Sequence, residues 1–344
     1  MATMMRALQL RRAGAMPDIV EVPKPTPGPG QVRLRTAGSG LCHSDLHVIH
    51  ANPPLFSLPL TLGHEPTGWV DAVGAGVTAV REGDACAVYF PWGCGHCARC
   101  ASGEENICEG QFAGPGAGHD GGMADYLLVD DVRHLVPLGG LDPVATAPLM
   151  CAGITTYHAI KGALARLVPG SAVVLIGIGG LGHIAIQTLQ ALSPARIIAV
   201  DAHESKLAHA RELGAHDTML GGPGAAEQIR QITGGLGAAL VLDMVGTDAT
   251  LALGAASLAR KGELKIIGVA GGTLPVRFHE MAREASVSVP YAGTLPELYE
   301  VLELARAGLI KPEVERVSFE GVLEAYHRLE HGRLRGRAVL TPGA

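Results

Sequence analysis

Apolar and polar residues alternate in short runs through the first ~150 positions, a period of two that marks half-buried strands. Gln31 to Thr36 alternates cleanly, and Gly68 to Val73 and Asp84 to Phe90 have the same texture. Turn signals such as the Pro/Gly stretch Pro25 to Gly30 separate them. This half is expected to be mainly β. From about Gly170 the pattern becomes strand, helix, strand, helix: Ala172 to Ile176, Leu181 to Leu192, Arg196 to Asp201 and Lys206 to Leu213. Ala239 to Asp243 and Glu263 to Val269 continue it as continuous apolar strands, with Thr250 to Leu258 as the helix between them. Such strands belong to a parallel sheet covered on both faces. A helix at Leu295 to Ala307 and a strand at Arg337 to Leu340 end the chain. There is no internal repeat and no low-complexity segment.

A chain of 344 residues suits two domains. Its 47% hydrophobic and 17% charged residues describe a packed protein without long disordered regions. The formal charge of −6 argues against nucleic acid, which demands clustered Lys and Arg. Met1 to Leu8 leads directly into strand-like sequence, with no signal-peptide pattern, so a cytoplasmic protein is expected. The most apolar stretch, Ala172 to Leu192, is interrupted by glycines, His183, Gln187 and Gln190, so no membrane span is expected. Glycine contributes 47 residues, about twice ordinary usage, which implies many tight turns and close backbone approaches.

Gly177-Ile178-Gly179-Gly180-Leu181-Gly182 follows a buried strand and opens a helix, and Asp201 ends the next strand. Glycines there permit a tight turn and bring backbone N–H groups and a helix N-terminus to a pyrophosphate. Asp201 can accept hydrogen bonds from a ribose, and its charge would repel a 2′-phosphate, so NAD is favoured over NADP.

The seven cysteines are unevenly spread. Cys94, Cys97, Cys100 and Cys108 fall as Cys-x2-Cys-x2-Cys-x7-Cys, with Gly93, Gly95 and Gly103 to bend the loop. Four thiolates close a tetrahedron, so a zinc there would be structural; an iron–sulfur cluster could use the same four. A second group is Cys42-His43-Ser44-Asp45, Gly63-His64-Glu65 and Cys151. Two thiolates and an imidazole suit zinc and leave a fourth position for an alcohol oxygen. Singly, Cys42 and Cys151 read as buried cysteines and His64 as a core histidine, and spacing leaves their convergence open. Cys86 matches no ligand position and reads as a small buried hydrophobe.

Taken in order, GLCHSDLH at Gly40 to His47, GHEPTG at Gly63 to Gly68, GDACAVYF at Gly83 to Phe90, the four-cysteine lobe, CAGITTY at Cys151 to Tyr157 and GIGGLG resemble the zinc-containing medium-chain dehydrogenase family, in particular its bacterial NAD-dependent alcohol dehydrogenases. The resemblance covers nearly the whole chain. It implies a GroES-like catalytic domain over residues 1–152 with a structural-zinc lobe at about 93–109, and a Rossmann NAD-binding domain, a doubly wound parallel sheet, over 153–291. Residues 292–344 would return to the catalytic domain, and the active site would lie in the cleft.

By the same resemblance Cys42, His64 and Cys151 bind a catalytic zinc, with Glu65 close behind and Asp45 orienting His64. Ser44 receives the alcohol proton and His47 exports it. His43 and Arg337 meet the pyrophosphate, Asp201 and Lys206 the adenosine ribose, and Thr155 and Val269 the nicotinamide side. Phe90 and Trp92 line the substrate pocket. Two zincs and one NAD per chain are implied, serving a primary or secondary alcohol, in a homo-oligomer with a tetramer favoured over a dimer and the strand Ser286 to Pro290 a pairing edge. The alternatives are a polyol or amino-alcohol dehydrogenase on this scaffold, a zinc-free reductase of the same superfamily, and a binding module with a vestigial nucleotide fold.

Overall fold

The computed structural model describes residues 3–110 and 113–343. Met1 and Ala2, heading the expected first strand, and Ala344, closing the expected C-terminal segment, lie outside the described residues. The chain forms two compact units, one of residues 1–151, 294–306 and 312–344, the other of residues 152–293 and 307–311.

The first unit is built on sheets. Val32–Gly40 is its central strand, and its alternation is read directly into burial: Val32, Leu34 and Thr36 point inward while Arg35 faces out. It pairs antiparallel with Pro66–Val73, with Tyr126–Val129 and, near its end, with Arg337–Leu340. Leu135–Pro137, Ala85–Val88 and Val314–Val317 complete a sheet of seven strands. A smaller sheet joins Met4–Leu10 to Asp18–Pro23 and Leu60–Thr61. The expected strand from Asp84 to Phe90 is shorter than the apolar run suggests, spanning Ala85–Val88. Cys86 is fully buried there among Val32, Leu34, Val70 and Val88, as a small hydrophobe should be.

The second unit is a six-stranded sheet with every neighbouring pair parallel. In spatial order its strands are Asp217–Leu220, Arg196–Asp201, Ala172–Ile176, Ala238–Asp243, Leu258–Ile266 and Ser286–Ser288. Counted along the chain this is the doubly wound order 3-2-1-4-5-6, which reverses direction beside Ala172–Ile176. All five residues of that strand are buried because both of its faces are covered. Val173 and Leu175 pack on one side with Ala185, Ile186 and Leu189 of the helix Gly182–Leu192. Val174 and Ile176 pack on the other with Val200, Ile229 and Leu264. The expected helix from Thr250 to Leu258 spans Asp248–Ala256, and Leu258 already opens the next strand. Among the described residues no helix is long and apolar enough to cross a membrane.

One histidine in the first unit gives its stability a pH dependence. His134 is buried and stacks on Trp92, with ring centroids 5.2 Å apart and planes 8° from parallel. Burial, aided by the neighbouring Arg133 charge, pushes its pKa down from 6.5 to about 4. Between those values the unfolded chain takes up a proton that the native chain refuses, so stability is complete above pH 6.5 and falls as the solution is acidified. The loss from this group is on the order of 3 kcal/mol by pH 4. Urea-unfolding free energies measured from pH 7 to 4 should fall less steeply for His134→Phe than for the parent chain. Parallel curves would contradict the assignment.

Candidate active site and metal centres

Helix His43–His50 starts at Cys42, and Asp45 in its first turn folds back to accept the Cys42 backbone N–H at 2.9 Å. A carboxylate here satisfies a donor that a helix start leaves orphaned and complements the helix dipole. The other oxygen of Asp45 meets His64 Nδ1 at 3.0 Å. Gly63 sits at φ +101°, where a side chain is strained, and a Cβ there would fall 2.5 Å from Ser39 Oγ. That turn delivers His64 and Glu65 inward, both of them buried.

Cys42, His64, Glu65 and Cys151 converge so that one ligand atom from each lies within 4.8 Å of the others. Cys42, His64 and Glu65 are buried and Cys151 is half-buried. Hydrogen bonding between the two thiols holds Cys42 well below the ordinary thiol range and, with burial, Cys151 well above it. Burial opposes charge on His64, yet the Asp45 carboxylate and its hydrogen bond outweigh this and raise its pKa well above the usual value. Burial lifts Glu65 to about 8 against the pull of Arg337. His64 Nε2 and Glu65 Oε2 are buried without partners. Two convergent thiols, an unpartnered imidazole nitrogen and an unpartnered carboxyl oxygen make a donor set that fits a zinc ion.

Around this cluster the chain supplies counter-charge and support. Arg337 begins the strand that pairs with Val32–Gly40, and its guanidinium donates to Leu41 O at 2.8 Å and to Glu65 Oε1. The resemblance assigns Arg337 to the pyrophosphate; its standing partners in the structure are Glu65 and Leu41, and the side chain is 3% exposed. Tyr326, on helix Val322–Glu330, donates its O–H to Asp45 Oδ2 at 2.9 Å. Burial holds this phenol well above the ordinary tyrosine range, so it keeps its proton. No local motif marks Tyr326; in the sequence it reads as one more apolar position of an amphipathic helix.

Ser44 Oγ lies 3.6 Å from Cys42 Sγ, and His43 and His47 are exposed on the same helix. Phe90 presents its ring to His64 at 5.6 Å, edge to face, so it borders the cluster. Trp92 does not, which corrects the pocket expectation. Its Nε1–H donates to Tyr89 O at 2.8 Å, and its ring is enclosed by His119, His134 and the core of Val32, Leu34 and Val88. The indole needs a partner for its N–H and a large apolar contact, and the core supplies both.

Cys94, Cys97, Cys100 and Cys108 form the second cluster, again with their sulfurs within 4.8 Å of one another. Backbone N–H groups aim at the sulfurs, with Cys97 N to Cys94 Sγ at 3.3 Å and Cys100 N to Cys97 Sγ at 3.4 Å. Donation from Cys100 and Glu109 pushes Cys97 down to about 6, while burial raises Cys100 to about 12. Arg133, which the sequence did not single out, ties the lobe down through Glu105 Oε1 at 3.1 Å and the carbonyl of Gly93.

In the second unit the turn after Ala172–Ile176 carries the glycine fingerprint. Gly177 has φ +94°, a Cβ on Gly182 would meet Gly177 O at 2.4 Å, and a Cβ on Gly179 would meet nothing within 4 Å. The first and last glycines are thus required by the turn and by close helix–strand packing, and the middle one faces open space. Gly180 and Leu181 continue the turn into helix Gly182–Leu192. Asp201 Oδ2 accepts from Ile178 N at 2.7 Å and Oδ1 from His203 N at 2.9 Å, fixing the carboxylate beside the turn. Lys206 is half-buried on the following helix, Thr155 is buried on helix Ala152–Lys161, and Val269 is 62% exposed beyond the strand Leu258–Ile266.

The tightest requirement at the cluster falls on Gly40, where a Cβ would stand 1.9 Å from Glu65 Oε2. Gly40→Ala must therefore displace Glu65 and strand Arg337 without its counter-ion, at a cost of about 3–5 kcal/mol. Denaturant unfolding should show that loss. An unchanged midpoint would mean that Glu65 is not held where the structure has it.

The chain matches the family model described as alcohol dehydrogenase GroES-like domain over residues 28–140 and that described as zinc-binding dehydrogenase over residues 180–307. It is 36% identical to an alcohol dehydrogenase of Moraxella sp. (strain TAE123), covering 98% of this chain and 99% of that one. It is 35% identical to an NAD-dependent alcohol dehydrogenase of Sulfurisphaera tokodaii, covering 98% and 100%. The crystal structure of the alcohol dehydrogenase of Aeropyrum pernix superposes with a TM-score of 0.91 at 35% identity, covering 98% of this chain and all of that one. With a GroES-like unit, a doubly wound unit and kinship along its full length, this chain belongs to the zinc-containing medium-chain dehydrogenase family of oxidoreductases.

Proposed function

We propose that this protein is an NAD-dependent alcohol dehydrogenase in which Cys42, His64 and Cys151 hold a catalytic zinc and Cys94, Cys97, Cys100 and Cys108 a structural one. The observation behind the reading is the convergence of the Cys42 and Cys151 thiols on an unpartnered, buried His64 Nε2, with all their ligand atoms within 4.8 Å of one another. When bound, zinc takes the pKa of water from about 15.7 to about 7 and acts likewise on an alcohol, while NAD⁺ accepts the hydride.

The chain's own residues then have separate tasks. Asp45 holds His64 in one tautomer. Ser44, near Cys42 Sγ, would accept the alcohol proton while releasing its own into a relay through the nicotinamide ribose that ends at exposed His47, which gives a proton to water. Glu65, hydrogen-bonded by Arg337, keeps a carboxyl oxygen beside the ligands. Phe90 gives the site an apolar wall, favouring an uncharged primary or secondary alcohol. In the doubly wound unit Gly177, Gly179, Gly180, Leu181 and Gly182 cradle the pyrophosphate. Asp201 and Lys206 take the adenosine ribose, and Thr155 and Val269 the nicotinamide side. His43 is placed toward the pyrophosphate, where desolvation lowers its pKa and keeps it a neutral hydrogen-bonding partner, while the Arg337 guanidinium stays with Glu65 and Leu41 O. Free thiol ligands suit a reducing cytoplasm. The outer edge of Ser286–Ser288, with Val289 73% exposed beside it, suits pairing with a second copy in a homo-oligomer, a tetramer by family resemblance.

The test is zinc content per chain together with NAD⁺-dependent oxidation of primary, secondary and polyhydroxylated alcohols. Two zincs and turnover of simple alcohols are expected, with Cys42→Ala keeping one zinc and losing at least about 10³-fold in kcat. Turnover confined to polyols would favour a polyol dehydrogenase on this scaffold. One zinc in the parent chain and no oxidation of any alcohol would overturn the reading.

A further inference from the structure

Asp45 is gripped from three directions. Its Oδ1 faces His64 Nδ1 at 3.0 Å, and its Oδ2 accepts from the Cys42 backbone N–H and the Tyr326 O–H, each at 2.9 Å. The first two partners come from the metal cluster itself. The third comes from a helix 281 positions away, whose ring is wholly buried against Leu8, Leu41, Leu46 and Phe319. A side chain needed only to fill that apolar space could be phenylalanine. Burying a hydroxyl costs free energy unless it is satisfied, and this one reaches the Asp45 carboxylate, with Met123 Sδ beside it at 3.1 Å.

We propose that Tyr326 is a positioning residue for the metal ligand His64, acting through Asp45. With the phenol in place, neither oxygen of Asp45 can rotate without breaking a hydrogen bond. The carboxylate therefore fixes the proton on His64 Nδ1 and points Nε2 into the cluster. Without it, Oδ2 retains only the Cys42 N–H, and the carboxylate that stops the imidazole is held by one bond fewer. The C-terminal helix Val322–Glu330 thereby bears on a ligand provided by residue 64. This inference rests on the zinc reading of Cys42, His64 and Cys151.

The experiment uses the full-length, zinc-loaded protein and follows zinc release to a chromophoric chelator under native conditions, with thermal unfolding and kcat and KM measured alongside. The release phase that is missing in Cys42→Ala identifies the cluster zinc, and the remaining phase identifies the four-cysteine lobe. In Tyr326→Phe the cluster phase should quicken about 10-fold while the lobe phase stays unchanged. kcat should fall with little change in KM, and 4-aminophenylalanine in place of Tyr326, which keeps a donor, should restore both. In the Asp45→Asn background Tyr326→Phe should add little, because the path runs through Asp45. An unchanged cluster phase in Tyr326→Phe overturns the proposal. So does a variant that unfolds or loses both zincs together, since that is the signature of packing alone. A parent chain with lobe zinc only would sink the zinc reading itself, an outcome separate from either of these.

Discussion

Charge compensation in a buried interior is the constraint on which the β-rich unit depends. Asp45, Glu65 and Arg337 are 2%, 0% and 3% exposed, and each would be strongly destabilising if left alone. Asp45 is balanced by three donors and Glu65 by Arg337. The groups that must meet come from positions 42–45, 64–65, 151, 326 and 337, so the balance exists only when the chain is folded. The pairing of Val339 with Gly40 brings Arg337 beside Leu41, and Gly40 leaves room for Glu65 to pass. Backbone topology and buried electrostatics therefore specify one another.

The doubly wound unit answers to a different demand, that of bringing backbone close to a ligand without side chains in the way. Gly177 and Gly182 are set by the turn and the helix packing, and Asp201 is held by two backbone donors. The four-cysteine lobe is a third solution. It has few apolar residues of its own, and its loop is shaped by N–H to sulfur bonds and by Arg133 reaching Glu105 and Gly93.

Much of this was legible in the sequence because the signals were local. The change from a period of two to strand–helix alternation near Gly170 gave the two kinds of unit, and the glycine fingerprint lay where a strand meets a helix. Cys42, His64 and Cys151 were singled out by residue type, and the fold brings them together with Glu65. What stayed hidden was long-range. Tyr326 meets Asp45 across 281 positions, and Arg133 meets Glu105 across 28, with no spacing rule to announce either. Trp92 was misread because an aromatic near a cysteine motif suggests a pocket wall, whereas its N–H bond to Tyr89 and its stack on His134 tie it to the core.

The zinc cluster of Cys42, His64 and Cys151 is tested most directly by a crystal structure of the zinc-loaded protein with anomalous data collected at the zinc edge. Two peaks per chain are expected. One should lie about 2.3 Å from Cys42 and Cys151 Sγ and about 2.0 Å from His64 Nε2, and the other within about 2.3 Å of all four lobe sulfurs. A single peak at the lobe, with His64 Nε2 turned away from the thiols, would contradict it.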